Sequence, residues 1–145
     1  MIGLLQRVSS ASVTVEGDVV ASIDRGILVL VAVEPADGEA QADRLAERLL
    51  GYRVFSDGAG RMNLSVRDVA GGVLLVPQFT LAADTTRGTR ASFSTAAEPG
   101  QGERLFSRLV HAIGARHAAV ASGVFGADMK VALVNEGPVT FWLRA

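Results

Sequence analysis

The chain has 145 residues, a formal net charge of −1 and no cysteine. Hydrophobic residues make up 49% and charged residues 20%, which excludes intrinsic disorder and suits a single domain, residues 1–145, with a sizeable core. The missing cysteines exclude disulfides and thiolate chemistry, the charge gives nucleic acid no global attraction, and the longest apolar run, Ile27–Val33, is far too short for a membrane span.

Met1–Arg7 lacks the basic start and long apolar stretch of a signal peptide, so the sequence reads as that of a soluble, cytoplasmic protein. Residues 2–8 alternate loosely and predict a strand. Ser12–Val15, Glu16-Gly17-Asp18 and Val19–Ile23 predict a hairpin around a glycine turn. Ile27–Val33 is apolar on both faces, the pattern of a central strand covered on both sides. Glu34–Asp37 breaks it, with Asp37 placed to cap a helix. From Gly38 to about Val54 the period changes: Ala42, Leu45, Ala46, Leu49 and Leu50 define one face of an amphipathic helix.

Ser56–Gly60 reads as a turn-rich loop, and Gly71-Gly72 leads into a buried strand, Val73–Val76. Thr85–Gly100 is a polar loop long enough to suggest function. A second helix buries Leu105, Phe106, Leu109, Val110 and Ile113, and Ala118–Val124 and Met129–Leu143 close the chain as strands. Two helices cannot cover both faces of so many strands. The fold class is therefore α/β: a single domain with a curled, mostly antiparallel mixed sheet and two helices on one side, in β/β/α layers. One sheet surface is left over for a second copy to bury.

The usual agents of catalysis are missing. His111 and His117 are six apart, about 240° around a helix, and cannot share a ligand or a proton relay. No spacing suits a metal, and no phosphate-binding glycine loop joins a strand to a helix. What stands out is a pair of polar, backbone-constrained segments that interrupt strands: Pro77-Gln78-Phe79-Thr80-Leu81 and Asn135-Glu136-Gly137-Pro138-Val139-Thr140. At a strand end the N–H groups of Phe79 and Thr80 could form an oxyanion site, with Gln78 holding their geometry. The alternative is a plain strand terminus in which Thr80 bonds its own turn. Gly137-Pro138 reads either as a strand-breaking turn or as a rigid hairpin tip presenting carbonyl oxygens to something outside the subunit. Thirteen of the fourteen basic residues are arginine, a count in keeping with a GC-rich genome. Arg87 and Arg90 nevertheless fall in the loop after the first segment, where they would suit phosphate.

At these residues the chain resembles the D-aminoacyl-tRNA deacylases. The resemblance runs through Leu5-Gln6-Arg7-Val8, Ala11-Ser12-Val13, Gly51–Phe55, Gln78–Thr85, Arg87-Gly88, Gly123–Met129 and Asn135–Thr140, essentially the whole length. It implies a homodimeric editing hydrolase that cleaves the ester between a D-amino acid and the acceptor end of tRNA, and that also clears mischarged glycyl-tRNA. It implies no cofactor and no metal, and a 2′-hydroxyl of the RNA that assists attack. By the same resemblance Gln78, Phe79 and Thr80 form the catalytic segment, with the Phe79 and Thr80 amides facing the substrate. A cis Gly137-Pro138 tip, steadied by Arg7, would enter the partner's site and leave no room for an L side chain. Pro77, Phe125 and Met129 match further substrate-binding positions.

Two departures stand out. The family's usual serine before Gln78 is here Pro77, which lacks both hydroxyl and N–H. An animal-type branch also carries proline there, with a trans Gly-Pro, but the other segments look bacterial, so deacylation with a cis tip is expected. Ala91 stands where proline is common and is expected to alter only loop stiffness. Two rival functions remain at this level: a small-ester hydrolase with Thr80 as nucleophile, and a non-catalytic module that docks RNA ends.

Overall fold

The strand at the start of the chain is longer than its periodicity suggests. In the computed structural model, which describes residues 1–145, one strand β1 runs from Ile2 to Val15. Glu16 and Gly17, both at positive φ (52° and 94°), turn it into β2, Asp18–Ile23. β3 (Gly26–Ala32) pairs antiparallel with the first half of β1, and β2 pairs with its second half. β6 (Gly72–Pro77) lies parallel to β3, and β7 (Val120–Ser122) parallel to β6. β8, Lys130–Arg144, runs antiparallel along the other edge of β1 for almost its full length. The sheet order is β2-β1-β3-β6-β7, with β8 on the free side of β1. A separate two-stranded ladder joins β4 (Phe55–Ser56) to β5 (Met62–Leu64).

Because β1 serves two neighbours in succession, the sheet curls over itself and makes two cores. Ile27, Val29 and Val31 of β3, with Val73 and Leu75 of β6, pack under the helices. The alternate residues Leu28, Leu74 and Val76 pack inside the curl against Val8, Val13 and Ala21. This is why those two strands are apolar on both faces. The β/β/α layering follows directly.

α1 (Glu39–Gly51) buries Ala42, Leu45, Ala46, Leu49 and Leu50, the face its period predicts. Each fully buried leucine there contributes about 2 kcal/mol. The cap is not Asp37. Gly38 occupies that position and donates its N–H to Gln41 Oε1 at 2.9 Å, while the Asp37 carboxylate accepts from the Glu34 amide at 2.7 Å. α2 (Pro99–Gly114) starts on a proline, whose missing N–H costs nothing in a first turn. It buries Leu105, Phe106, Leu109 and Ile113 against the same core, with Val110 half-buried. On the outside, Arg108 forks onto Asp43 and also reaches Glu39, which joins the helices.

Two further local expectations are corrected and one is extended. His117 lies beyond the end of α2, with a ring nitrogen 2.7 Å from the Gly71 carbonyl oxygen, so it shares no helix with His111. The loop after Ser56 is the expected turn, closed by Asp57 accepting from the Ala59 and Arg61 amides, but it joins two short strands, β4 and β5, that the sequence reading lacks. The Gly137-Pro138 segment is not a hairpin tip: β8 keeps its direction on both sides of it, and the segment bulges from one continuous strand. No helix is long and apolar enough to cross a membrane.

Candidate active site

The sheet edge at the end of β6 is where the first polar segment acquires its shape. Pro77 has no N–H to give to the ladder, and the next amide, Gln78, donates instead to the Val31 carbonyl at 2.7 Å. The chain then tightens into a 3₁₀ turn, Phe79–Ala82. Its bonds start with Leu81 N–H to the Gln78 carbonyl (3.2 Å), followed by Ala83 N–H to the Thr80 carbonyl (3.1 Å). The amides of Phe79 and Thr80 precede the first of these bonds and so have no acceptor within the turn. The Gln78 side-chain amide donates to the Thr80 hydroxyl, which ties the two side chains together.

This turn stands at the mouth of a cavity of about 450 Å³. Val31, Val33, Val76 and Pro77 line the sheet side; Gly102 and Phe106 line the α2 side; Phe125 and Met129, from the chain leading into β8, and Val131 at its start close it. Gln78 is the only polar side chain in the lining, and no charged one is present. A carboxylate, imidazole or ammonium for acid–base work is therefore not supplied from these walls. Phe79 is 57% exposed at the rim, and its ring centroid lies 5.1 Å from that of Phe93, itself 48% exposed.

Two glycines shape the walls by what they omit. A Cβ on Gly102 would stand 3.2 Å from the Phe125 ring, and one on Gly123 would stand 2.8 Å from Met129 Sδ. Both aromatic and thioether thus settle onto bare backbone.

The second polar segment forms a different place. Register steps from Gln6↔Thr140 to Val8↔Asn135, so residues 136–139 bulge opposite the single residue Arg7. Arg7 Nε donates to the Glu136 carbonyl at 3.0 Å and Nη1 to the Val54 carbonyl at 2.6 Å. Asn135 closes the bulge from within, accepting from the Val139 amide at 3.0 Å and donating to the Thr140 hydroxyl at 2.8 Å. Gly137 has φ +130°, and the Gly137–Pro138 peptide bond is cis. Glu136, Gly137 and Pro138 are exposed.

Of the residues singled out from the sequence, Pro77, Gln78, Phe79, Phe125 and Met129 therefore meet in one cavity, whereas Thr80, next along the turn, is not part of its lining. Arg7, Gly137 and Pro138 meet in the bulge, and none of them lines the cavity of the same chain. Sequence reasoning missed Phe93, Gly102 and Phe106. The signal for Gly102 was present: a glycine inside a helical stretch costs about 1 kcal/mol relative to alanine and wants a packing reason.

The family model described as "D-Tyr-tRNA(Tyr) deacylase" matches residues 4–144. The chain belongs to the D-Tyr-tRNA(Tyr) deacylase family. A deacylase of this family is an acyl hydrolase, and the chain is accordingly an enzyme. A "D-aminoacyl-tRNA deacylase" of Thioalkalivibrio sulfidiphilus is 63% identical over 144 residues, covering 99% of this chain and 97% of its own length. One of Pseudomonas putida is 64% identical, covering 99% of both. A solved chain described as "c-Myc DNA Unwinding Element Binding Protein" superposes with a TM-score of 0.96 at 33% identity, covering 100% of this chain and 99% of that one. A probable eukaryotic D-amino acid tRNA deacylase shares the fold at a TM-score of 0.85 and 18% identity, over 99% and 98% of the two chains.

Proposed function

We propose that the chain hydrolyses the ester joining a D-amino acid to the terminal adenosine of tRNA, releasing free amino acid and tRNA. The observation that carries this reading is an uncharged, apolar cavity with the Phe79–Ala82 turn at its rim, a turn whose first amides have no acceptor within it. Such a site can bind an aminoacyl-adenosine end and accept the oxyanion that forms when water adds to the ester carbonyl. It has no base of its own to activate that water. The 2′-hydroxyl of the terminal ribose, adjacent to the ester, is the group that assists attack. The 3′-oxygen then leaves with a proton as the tetrahedral adduct collapses.

Gln78, Phe79 and Thr80 are the catalytic segment in this reading, with Gln78 fixing Thr80. Thr80 as a nucleophile is disfavoured: its hydroxyl already accepts from Gln78, and no basic side chain lines the cavity. Pro77, Phe125 and Met129 bind the substrate end.

Chiral rejection belongs to the Gly137-Pro138 bulge of a second copy. The bulge is exposed, braced by Arg7 and outside its own chain's cavity, and β8 has a strand partner along one edge only. In a homodimer its carbonyl oxygens would enter the partner's cavity and exclude an L side chain, whereas glycine, having none, would pass. Glycyl-tRNA is therefore a second substrate. The reaction belongs in the cytoplasm, where charged tRNA is found.

Purified protein in catalytic amount should release D-tyrosine from D-tyrosyl-tRNA with multiple turnovers. Binding of that tRNA without any release would replace this reading with that of an RNA-end binder.

A further inference from the structure

The polar excursion between the 3₁₀ turn and α2 has a role that the cavity alone does not give it. Asp84 and Ser92 form an antiparallel bridge with amide–carbonyl distances of 2.8 and 3.0 Å, which pins the neck of the excursion. Just outside the neck, the Thr95 hydroxyl donates to the Ala82 carbonyl, and Phe93 packs on Phe79 at the cavity rim. Arg87 and Arg90 lie within the pinned stretch, and both are exposed.

Their charge is not neutralised. Arg104, Arg108 and Arg116 on the helical face are each paired with Glu39, Asp43 or Glu47. Residues 85–95 contain no acid, and Arg87 and Arg90 take part in no ion pair. The one acid at the neck, Asp84, is engaged by the Thr86 hydroxyl and amide at 2.7 and 2.9 Å. Those bonds hold its carboxyl below the usual carboxylate range. A protein of net charge −1 thus sets two half-exposed phenyl rings at the cavity rim and two exposed, unpaired guanidinium groups in the loop that Phe93 anchors there.

We propose that Arg87, Arg90 and Phe93 cradle the unpaired nucleotides that precede the terminal adenosine, the arginines on phosphates and Phe93 under a base. This deepens the function proposed above and rests on it. Single-stranded RNA is gripped by this combination: aromatic faces stack on any base, and guanidinium forks take the backbone. The site so built is tolerant of sequence, because neither group reads base edges. The cradle is continuous with the cavity through Phe79, so the last nucleotide can enter while those before it stay on the rim.

The test is binding of uncharged tRNA, and of the same tRNA trimmed of its unpaired 3′ nucleotides, across a range of salt. Arg87→Ala/Arg90→Ala should weaken binding of intact tRNA about tenfold and flatten the log–log salt slope by about 1.4, two phosphates at about 0.7 each. Phe93→Ala should weaken intact tRNA by about tenfold and trimmed tRNA hardly at all. Arg87→Lys/Arg90→Lys should keep most of the salt slope. Unchanged affinity and slope in the alanine pair would overturn the proposal. So would a Phe93→Ala variant that bound both RNAs as wild type but sedimented differently, because Phe93 would then be covered by a second copy. A wild-type protein that bound tRNA through this loop and released no amino acid would support the cradle and sink only the deacylase reading.

Discussion

The guanidinium of Arg7 donates to the carbonyl of Glu136 at 3.0 Å, the residue that enters the Gly137-Pro138 bulge. Its other arm holds the Val54 carbonyl at 2.6 Å, so one side chain spans β8 and the stretch following α1. Lysine carries its three donors on one nitrogen and lacks the planar fork that sets separate nitrogens on the two carbonyls. Arg7→Lys should leave the fold intact and loosen the bulge. Arg7→Ala should lose about 2 kcal/mol of stability, the order of one charge-assisted hydrogen bond to a partly buried carbonyl. Chemical denaturation, with hydrolysis of D- and L-tyrosyl-tRNA measured in parallel, would check both. Undiminished discrimination in both variants would show that Arg7 does not steady the bulge.

Gly137 admits no side chain. A Cβ there would lie 2.9 Å from Arg7 Nη2 and 2.8 Å from Val139 Cγ2, on a residue with φ +130°. Alanine must therefore shift either the arginine brace or the strand. Gly137→Ala should lose most deacylation of D-tyrosyl-tRNA while its circular dichroism stays native. Full activity would remove the bulge from the mechanism.

Gly102 separates stability from binding. Alanine is the better helix former by about 1 kcal/mol, and the site is in the first turns of α2. Its Cβ would press the Phe125 ring from 3.2 Å, however, and that ring is a cavity wall. Gly102→Ala should keep the melting temperature and raise KM severalfold with little change in kcat. A lower kcat at constant KM would mean that Phe125 does not touch the bound substrate.

Much of the fold was legible because burial leaves a period. The helix face Ala42-Leu45-Ala46-Leu49-Leu50 and the doubly apolar β3 follow from spacing alone. The continuity of β1 through Ser9 and Ser10 was not legible, because those residues are exposed where the strand changes neighbours between β3 and β2. Gln78, Phe79 and Thr80 were noticed as polar interruptions, but their 3₁₀ turn depends on where Val31 offers a carbonyl, and Val31 lies far away in sequence. The sequence offers a turn or a hairpin tip at the bulge for a similar reason. Only the register with β1 shows that the strand resumes its course after Val139. Phe93 carried no periodic signal, since it sits alone in a polar loop and its partner Phe79 is brought to it by the fold.

Thr80 can be tested apart from the backbone. Valine keeps its shape and its amide but gives Gln78 no hydroxyl to bond. Thr80→Val should slow hydrolysis without abolishing it, whereas a D-tyrosyl-tRNA ending in 2′-deoxyadenosine should be a far worse substrate for the wild-type protein. Abolished activity in the variant, together with normal turnover of the deoxy substrate, would make the threonine the nucleophile.

The most direct measurement of the central claim compares matched D- and L-tyrosyl-tRNA under single-turnover conditions with the wild-type protein. The D-ester should be hydrolysed rapidly and the L-ester should remain at its spontaneous rate. Comparable hydrolysis of both, or of neither, would contradict the account.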